Sequence, residues 1–86
     1  MISISKMVCE MDLGDQMLLE CQGKTIGLNE SGRLIYLKIK EGRSLEEIKT
    51  YMEKLFCINY DYMNDIKLYV EQLNAYGIIE VGKNDK

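Results

Sequence analysis

The chain has 86 residues, of which 47% are hydrophobic and 29% are charged, and its formal net charge is -3. A chain of this length forms one domain, and its mild acidity argues against a general nucleic-acid binder, which needs an excess of Lys and Arg. We therefore expect a single domain over residues 1–86, with flexible ends at about residues 1–5 and 82–86.

The sequence gives no sign of membrane targeting. No apolar run approaches the roughly 20 residues that span a bilayer. No basic region followed by an apolar block marks a signal peptide. We therefore predict a cytoplasmic protein that does not bind membranes.

The chain offers few residues for catalysis or metal binding. It has no histidine, and its three cysteines, Cys9, Cys21 and Cys57, form no Cys-x-x-Cys pair. Widely spaced thiols of this kind are typical of reduced, partly buried cysteines in a cytosolic protein. No side chain stands out as a nucleophile, general base or metal ligand. We predict no catalytic residue, no metal site and no other cofactor, and therefore a protein that is not an enzyme.

Alternating apolar and polar residues in the first third of the chain predict β-strands. The first of these places Met7, Cys9 and Met11 on one face. Turn residues interrupt the alternation at residues 13–15 and 22–24. The pattern predicts a three-stranded antiparallel meander, formed by residues 6–13, 16–21 and 24–29.

From Asn29 onward, the apolar spacing changes to that of α-helices. Asn29 or Ser31 can cap a first helix that ends near Glu41, where Gly42 stops it. The alternation over residues 34–40 also fits a strand, so the sequence leaves the type of this element open.

Two further helices follow. Ser44 and Glu47 form a capping box that opens the second helix, which ends near Cys57. Asn59 or Asp61 begins the third helix. Gly77 closes that helix, and a brief extended tail follows at residues 78–81. Because three strands alone form too small a core, the helices must cover one face of the sheet, which gives a two-layer α+β unit.

The last two helices also fit a helix-turn-helix, so the alternative function is a small winged-helix DNA-binding regulator. The third helix would then enter the major groove. Between residues 61 and 76 it carries Asp61, Asp65 and Glu71 against Lys67. Such an acidic surface repels phosphate and lacks the cations that read guanine. The acidic charge disfavours DNA binding by this helix more than DNA binding by the domain as a whole.

The third predicted strand can be an edge of the meander. An open edge presents unpaired amides and carbonyls, which are a template for another strand. Thr25 and Gly27 carry little bulk on one side of it, while Ile26 and Leu28 can pack on the other. An extended peptide added there would gain backbone hydrogen bonds.

The third helix can form the second wall of a groove beside that edge. Leu68 lies about 200° around the helix from Ile66, a core position, so it is either a single exposed apolar residue or part of the groove. The stripe that contains it has helical spacing: Asp65, Leu68, Tyr69 and Gln72. The candidate peptide-binding residues are Lys24, Thr25, Ile26, Gly27, Leu28, Asp65, Leu68, Tyr69 and Gln72.

Three segments together resemble the PqqD-like family, the recognition elements of pathways that modify ribosomally made peptides. They are GLNESGRLIY at residues 27–36, EGRSLEEI at residues 41–48 and DIKLYVEQLNAYGIIE at residues 65–80. They match the family's Leu-Asn-Glu-x-Gly run with a later aromatic residue, its Gly-Arg-Ser turn, and its Asp-led last helix that ends in glycine and two aliphatic residues. The resemblance covers roughly residues 7–80.

The resemblance implies a winged helix-turn-helix-like fold, in which a three-stranded antiparallel sheet is followed by three helices. It implies that the leader peptide of a precursor docks as a fourth strand on the third strand, against the last helix. It further implies a non-catalytic peptide chaperone of natural-product biosynthesis, which binds no nucleic acid. Its partner enzyme would be a radical S-adenosylmethionine enzyme, a cyclodehydratase or, in lasso peptide pathways, a leader protease.

The first helix departs from the family pattern. Leu34 and Leu37 stand where such proteins usually carry polar residues, while Lys38 stands where an aliphatic residue is common. Two interpretations follow: the register of this helix differs, or the leucines form an apolar outer patch that meets a partner enzyme.

Overall fold

The computed structural model describes residues 2–56 and 61–81 of the chain. Its elements, in chain order, are β1 (Ile2–Ile4), β2 (Cys9–Asp12), β3 (Met17–Cys21), β4 (Lys24–Leu28), α1 (Glu30–Lys40), α2 (Leu45–Leu55), α3 (Tyr62–Ala75) and β5 (Ile79–Val81). The predicted α+β fold is confirmed, with β2, β3 and β4 as the three meander strands. A second small sheet, formed by β1 and β5, is an addition to the prediction.

The meander is an antiparallel sheet in the order β2-β3-β4. Gln22 and Gly23 join β3 to β4, and their φ angles of 52° and 85° are those of a type I′ turn. β2 is shorter than predicted, because Lys6 and Met7 form a turn in which the Met7 amide donates to the Ser5 hydroxyl.

The N-terminal strand pairs with the C-terminal strand. Residues 2–4, which belong to the predicted flexible end, form β1 and pair antiparallel with β5. Ile78 and Ile79 are fully buried in the core, which fixes β5 at a position where β1 can pair with it. Met1 and residues 82–86 lie outside the described residues.

Side-chain caps fix the first turns of α1 and α2. The Asn29 Oδ1 accepts the Gly32 amide at 2.9 Å, so Asn29 caps α1, and the stretch that also fitted a strand is helical. The predicted capping box of α2 is present. The Ser44 hydroxyl accepts the Glu47 amide at 3.2 Å, and the Glu47 carboxylate accepts the Ser44 amide at 2.9 Å.

A third cap opens α3. The Asp61 Oδ1 accepts the Met63 amide at 3.1 Å. The other predicted cap, Asn59, lies outside the described residues. So does Cys57, near which α2 is predicted to end, and the described helix ends at Leu55.

The core lies between the meander and the helices. β3 alternates buried and exposed residues, so Met17, Leu19 and Cys21 face the helices. The helices contribute buried side chains at Ile35, Tyr36, Ile39, Ile48, Met52, Tyr62, Ile66 and Leu73. The helices therefore cover one face of the sheet, as the two-layer prediction requires.

The unusual residues of α1 pack against the rest of the fold. Leu34 and Leu37 are half-buried and pack against the core. The Lys38 Nζ lies 4.2 Å from the centroid of the Tyr51 ring, in a cation–π contact. The two leucines therefore pack against the core, and each keeps part of its side chain exposed.

Candidate functional site

The open side of β4 is the feature from which the site is built. β4 pairs with β3, and no strand within residues 2–56 and 61–81 pairs with its other side. Lys24 and Cys21 flank the two-residue turn, so they form a hydrogen-bonded pair, and such pairs alternate along an antiparallel ladder. It follows that Thr25 and Gly27 direct their backbone amides and carbonyls away from β3, toward the open side.

A cleft of about 450 Å³ separates this edge from α3. Its walls come from the end of β4, the start of α1 and one face of α3: Gly27, Asn29, Ser31, Asp65, Leu68, Tyr69 and Gln72. The strand edge and the helix stripe that the sequence singles out therefore face the same cleft.

The candidate residues differ in what they offer to that cleft. Lys24 and Thr25 are exposed on the strand, nearer the turn, and do not line it. Ile26 is half-buried, and Leu28 is only 2% exposed, so both side chains face the core. Their side chains are therefore not available to a ligand, although their backbone belongs to the edge strand.

Leu68 is the exposed apolar residue of the cleft. Its side chain is 56% exposed, and it lies on the cleft face of α3. The two interpretations of this residue are thus compatible, because Leu68 is exposed and also lines the groove. Asp65 carries the one formal charge among the described residues that line the cleft.

A hydrogen bond joins the two helices at the cleft. The Tyr69 hydroxyl donates to the Asn29 Oδ1 at 2.8 Å, and the same oxygen caps α1. The sequence predicts Asn29 or Ser31 as a helix cap and does not assign either residue to the site. Its position directly after the edge strand could have identified Asn29 as a site residue. A cap at that position also lies beside the open edge.

Gly32 allows the Tyr69 ring to lie against the first turn of α1. A Cβ at Gly32 would lie 2.7 Å from the Tyr69 Cε1 and 3.0 Å from its Cζ, closer than non-bonded carbon atoms approach. Gly32 is buried beneath the ring, and Tyr69 itself is half-buried and lines the cleft, so a side chain at position 32 would push the ring toward the cleft. The absence of a side chain at position 32 thus lets the Tyr69 ring pack directly against α1, where it forms part of the cleft wall.

A charge network holds β2 against α1. The Glu10 carboxylate accepts hydrogen bonds from the Tyr36 hydroxyl at 2.6 Å and the Lys40 ammonium at 3.0 Å. Partial burial disfavours the charged form of Glu10, but these bonds outweigh it and hold the pKa of the carboxyl below its usual range. Burial and the contact with Glu10 raise the pKa of the Tyr36 hydroxyl well above its usual range. Asp12 adds a bidentate ion pair with Arg33, at 2.8 and 3.1 Å.

The described residues show no arrangement for metal chemistry. No cluster of three or more His, Cys, Asp or Glu side chains in residues 2–56 and 61–81 could hold a metal ion. Cys9 is an exposed free thiol and Cys21 a buried one, while Cys57 lies outside the described residues. None of the described helices is long and apolar enough to cross a membrane.

The surface charge of α3 does not suit DNA. Asp61, Asp65 and Glu71 lie on the helix or at its cap, and Lys67 is the one cation that the described helix carries. A recognition helix approaches phosphates that these carboxylates repel. The charge of α3 therefore weighs against its use as a recognition helix in the major groove.

Comparison with known proteins supports the fold. No family model matches the chain, and the search among curated proteins found no match. A solved structure, that of TbiB1 in complex with the TbiA(beta) leader peptide, superposes with a TM-score of 0.77 and covers 94% of this chain and 98% of that chain, at 23% sequence identity. The chain has the fold of TbiB1. The winged-helix-like fold implied by the family resemblance is thereby confirmed.

Proposed function

We propose that this chain binds the leader peptide of a ribosomally synthesised precursor by strand addition to β4. It then presents the precursor, in the cytoplasm, to an enzyme that modifies the peptide or removes the leader. The domain itself is an adaptor without a catalytic role. The observation that carries the proposal is that the open edge of β4 and the exposed face of α3 bound one cleft.

The strand edge supplies affinity that does not depend on the peptide's side chains. Thr25 and Gly27 offer an amide and a carbonyl each, in the alternating pattern that an added strand pairs with. The small side chains at these positions keep the approach clear. A peptide of any sequence that adopts an extended conformation can make these bonds.

The cleft supplies the selectivity. The Leu68 side chain and the Tyr69 ring give apolar contact, while Asp65 and Gln72 give polar groups at the same site. In an added strand, every second side chain faces the helices, so alternate residues of the peptide enter the cleft. The site therefore favours an extended peptide with an apolar residue at a position that reaches Leu68.

The comparison with TbiB1 supports a leader peptide as the ligand. TbiB1 was solved in complex with the TbiA(beta) leader peptide, and its fold covers almost the whole of both chains. The two sequences share only 23% identity, so the proposal for this chain depends on its own edge and cleft. The partner enzyme that we propose is of one of three classes: a radical S-adenosylmethionine enzyme, a cyclodehydratase or a lasso leader protease.

Fluorescence anisotropy tests the binding step. The probe is a fluorescein-labelled synthetic leader peptide of the cognate precursor. We expect saturable binding with a Kd on the order of micromolar or tighter. Absence of saturation at tens of micromolar would contradict the proposal. A labelled mixed-sequence DNA duplex is the control, and salt-sensitive binding to it would favour the DNA-binding regulator instead.

Affinity capture tests the presentation step. The tagged chain is incubated with extract from the native cell, with and without the same unlabelled peptide. We expect an enzyme of one of the three classes to be retained, and retained more strongly with the peptide. An enzyme that is captured equally without the peptide would indicate a structural subunit rather than an adaptor.

A further inference from the structure

The face of the meander that points away from the helices carries an apolar row. The sheet register pairs Met11 of β2 with Leu18 of β3, and Leu18 with Gly27 of β4, so the three residues share one face. Met11 is 56% exposed and Leu18 is 39% exposed. The row thus runs across the sheet and reaches the open edge at a residue that has no side chain.

Gly27 leaves a gap at the end of this row. The Leu18 Cδ2 lies 3.5 Å from the position that a Cβ of Gly27 would take, and among the described residues no other atom outside the adjoining residues lies within 4 Å of that position. Leu18 therefore leans over Gly27 and presents an uncovered methyl group toward the open edge. Exposed glycines in sheets are commonly covered by a large side chain of a neighbouring strand.

We propose that the bound peptide places a large apolar side chain over Gly27, where it packs against Leu18 on the outer face of the sheet. The inference rests on the proposed function, because it requires a peptide strand beside β4. A peptide residue directly opposite Gly27 points its side chain to the same face as Gly27. That side chain is a second determinant of specificity, separate from the residues that enter the cleft.

The spacing of strands sets the size of this side chain. Two strand spacings, about 9.5 Å, separate β3 from an added strand. Leu18 covers part of that distance, and Gly27 contributes nothing, so the peptide residue must be long or aromatic to complete the contact. Alanine, valine or serine at this position would leave the Leu18 methyl groups uncovered.

The next outward position of the peptide has the opposite preference. It faces Thr25, which pairs with Glu20, and both side chains are exposed and polar. The recognised segment therefore has one large apolar residue on the outer face, opposite Gly27, and the residues on either side of it enter the cleft. The outer position nearer the β3–β4 turn, opposite Thr25, is polar.

Methyl NMR on a complex tests the inference directly. A display library of random linear peptides is selected against the wild-type chain, and a selected peptide is bound to protein with isotope-labelled leucine methyl groups. We expect intermolecular NOEs from Leu18 and from Leu68 to different peptide side chains. Leu13 is the control, because it is exposed but lies outside the row.

A double-mutant cycle tests the same contact through the binding affinity of the peptide. Replacing the peptide residue that contacts Leu18 by serine is expected to weaken binding to the wild type by about threefold to fivefold. The same replacement should cost little in Leu18→Thr, while Leu13→Thr should respond as the wild type does. NOEs to Leu68 with none to Leu18, or equal losses in all three proteins, would overturn the inference and leave the proposed function standing. If neither a selected peptide nor the labelled precursor peptide of the anisotropy test binds saturably, the proposed function fails, and this inference fails with it.

Discussion

The Tyr69 hydroxyl donates a hydrogen bond to the Asn29 Oδ1 across 2.8 Å, and that oxygen also accepts the Gly32 amide at 2.9 Å. One acceptor thus caps α1 and holds α3 against it. Both residues line the cleft, so this hydrogen bond contributes to the separation of its walls. The shape of the site is therefore coupled to the start of α1.

Tyr69→Phe removes this bond and keeps the ring. We expect the free energy of unfolding to fall by about 1 kcal/mol, the usual contribution of one hydrogen bond. In a domain of this size that lowers the Tm by roughly 4–8 °C. Thermal circular dichroism measures the change.

Tyr51→Phe is the matched control for that variant. Its ring contact with Lys38 does not need the hydroxyl, so we expect a Tm close to that of the wild type. Equal Tm losses in the two variants would show that the Tyr69–Asn29 bond adds nothing of its own. Asn29→Ala removes the helix cap as well as the bond and should cost about 1 kcal/mol more than Tyr69→Phe.

Gly32→Ala tests the close contact between α1 and the Tyr69 ring. Alanine is favoured over glycine within a helix by about 1 kcal/mol. The new Cβ would lie 2.7 Å from the Tyr69 Cε1, however, and such overpacking typically costs about 1–3 kcal/mol. We expect a net loss of stability by urea denaturation and weaker binding of the labelled peptide, because the ring must move.

The control for this variant is the same change in a Tyr69→Ala background. The clash with the ring is then absent, so the intrinsic helical preference for alanine should appear as a gain of up to about 1 kcal/mol. A loss of the same size in both backgrounds would place the cost elsewhere, for example in the contact with the Leu28 Cβ at 3.3 Å.

The helix caps and the edge strand were predictable because their signals are local. Ser44 with Glu47 is a four-residue pattern, and the alternation that ends at Leu28 is a property of one strand. The Tyr69–Asn29 contact was not predictable, because 40 residues separate its members and no local pattern reports a contact at that range.

The small sheet was missed for a different physical reason. A strand of three residues, such as Ile2–Ile4, is too short to show a reliable alternation. Its pairing with β5 depends on where the end of α3 lies, which is a tertiary property. The sequence predicts a candidate site made of one strand edge and one helix stripe, and both border the same cleft. The contribution of the α1 cap required the structure.

Glu10 gives stability that depends on pH. Its pKa is lowered in the folded protein below the ordinary range of a glutamate, although partial burial opposes the shift, because Lys40 and Tyr36 donate to its carboxylate. A carboxyl whose pKa is lowered by folding contributes stability at pH values above its pKa in the unfolded chain. That contribution is lost as the pH falls through its lower pKa in the folded protein. We expect the free energy of unfolding to decrease as the pH falls below the ordinary pKa range of a glutamate.

Glu10→Gln separates this contribution from those of other carboxylates. Asp12 and Glu41 also have lowered pKa values through their cationic partners, so part of the acid loss should remain. We expect the variant to be less stable than the wild type near neutral pH and to lose less stability in acid. Urea denaturation across the acidic range measures both curves, and parallel curves would contradict the assignment to Glu10.

Leu68→Glu tests the cleft face of α3. The change places a charge where the proposed peptide side chain loses water, so we expect binding of the labelled peptide to weaken by about tenfold or more. Leu55→Glu is a close control, because Leu55 is also a helical leucine and is 50% exposed, against 56% for Leu68. Both variants should melt alike. If both bind the peptide equally well, Leu68 is simply an exposed leucine.

Thr25→Pro tests the strand edge itself. Proline removes the amide that points to the open side of β4, and edge strands tolerate proline because that amide has no partner in the sheet. We expect the thermal melt to change little and peptide binding to weaken by about fivefold to tenfold, as for the loss of one backbone hydrogen bond. Thr25→Val keeps the amide and a β-branched side chain, and we expect it to retain most of the affinity. Anisotropy titrations of the two variants decide the matter: a similar affinity for both would show that the peptide does not pair with this edge.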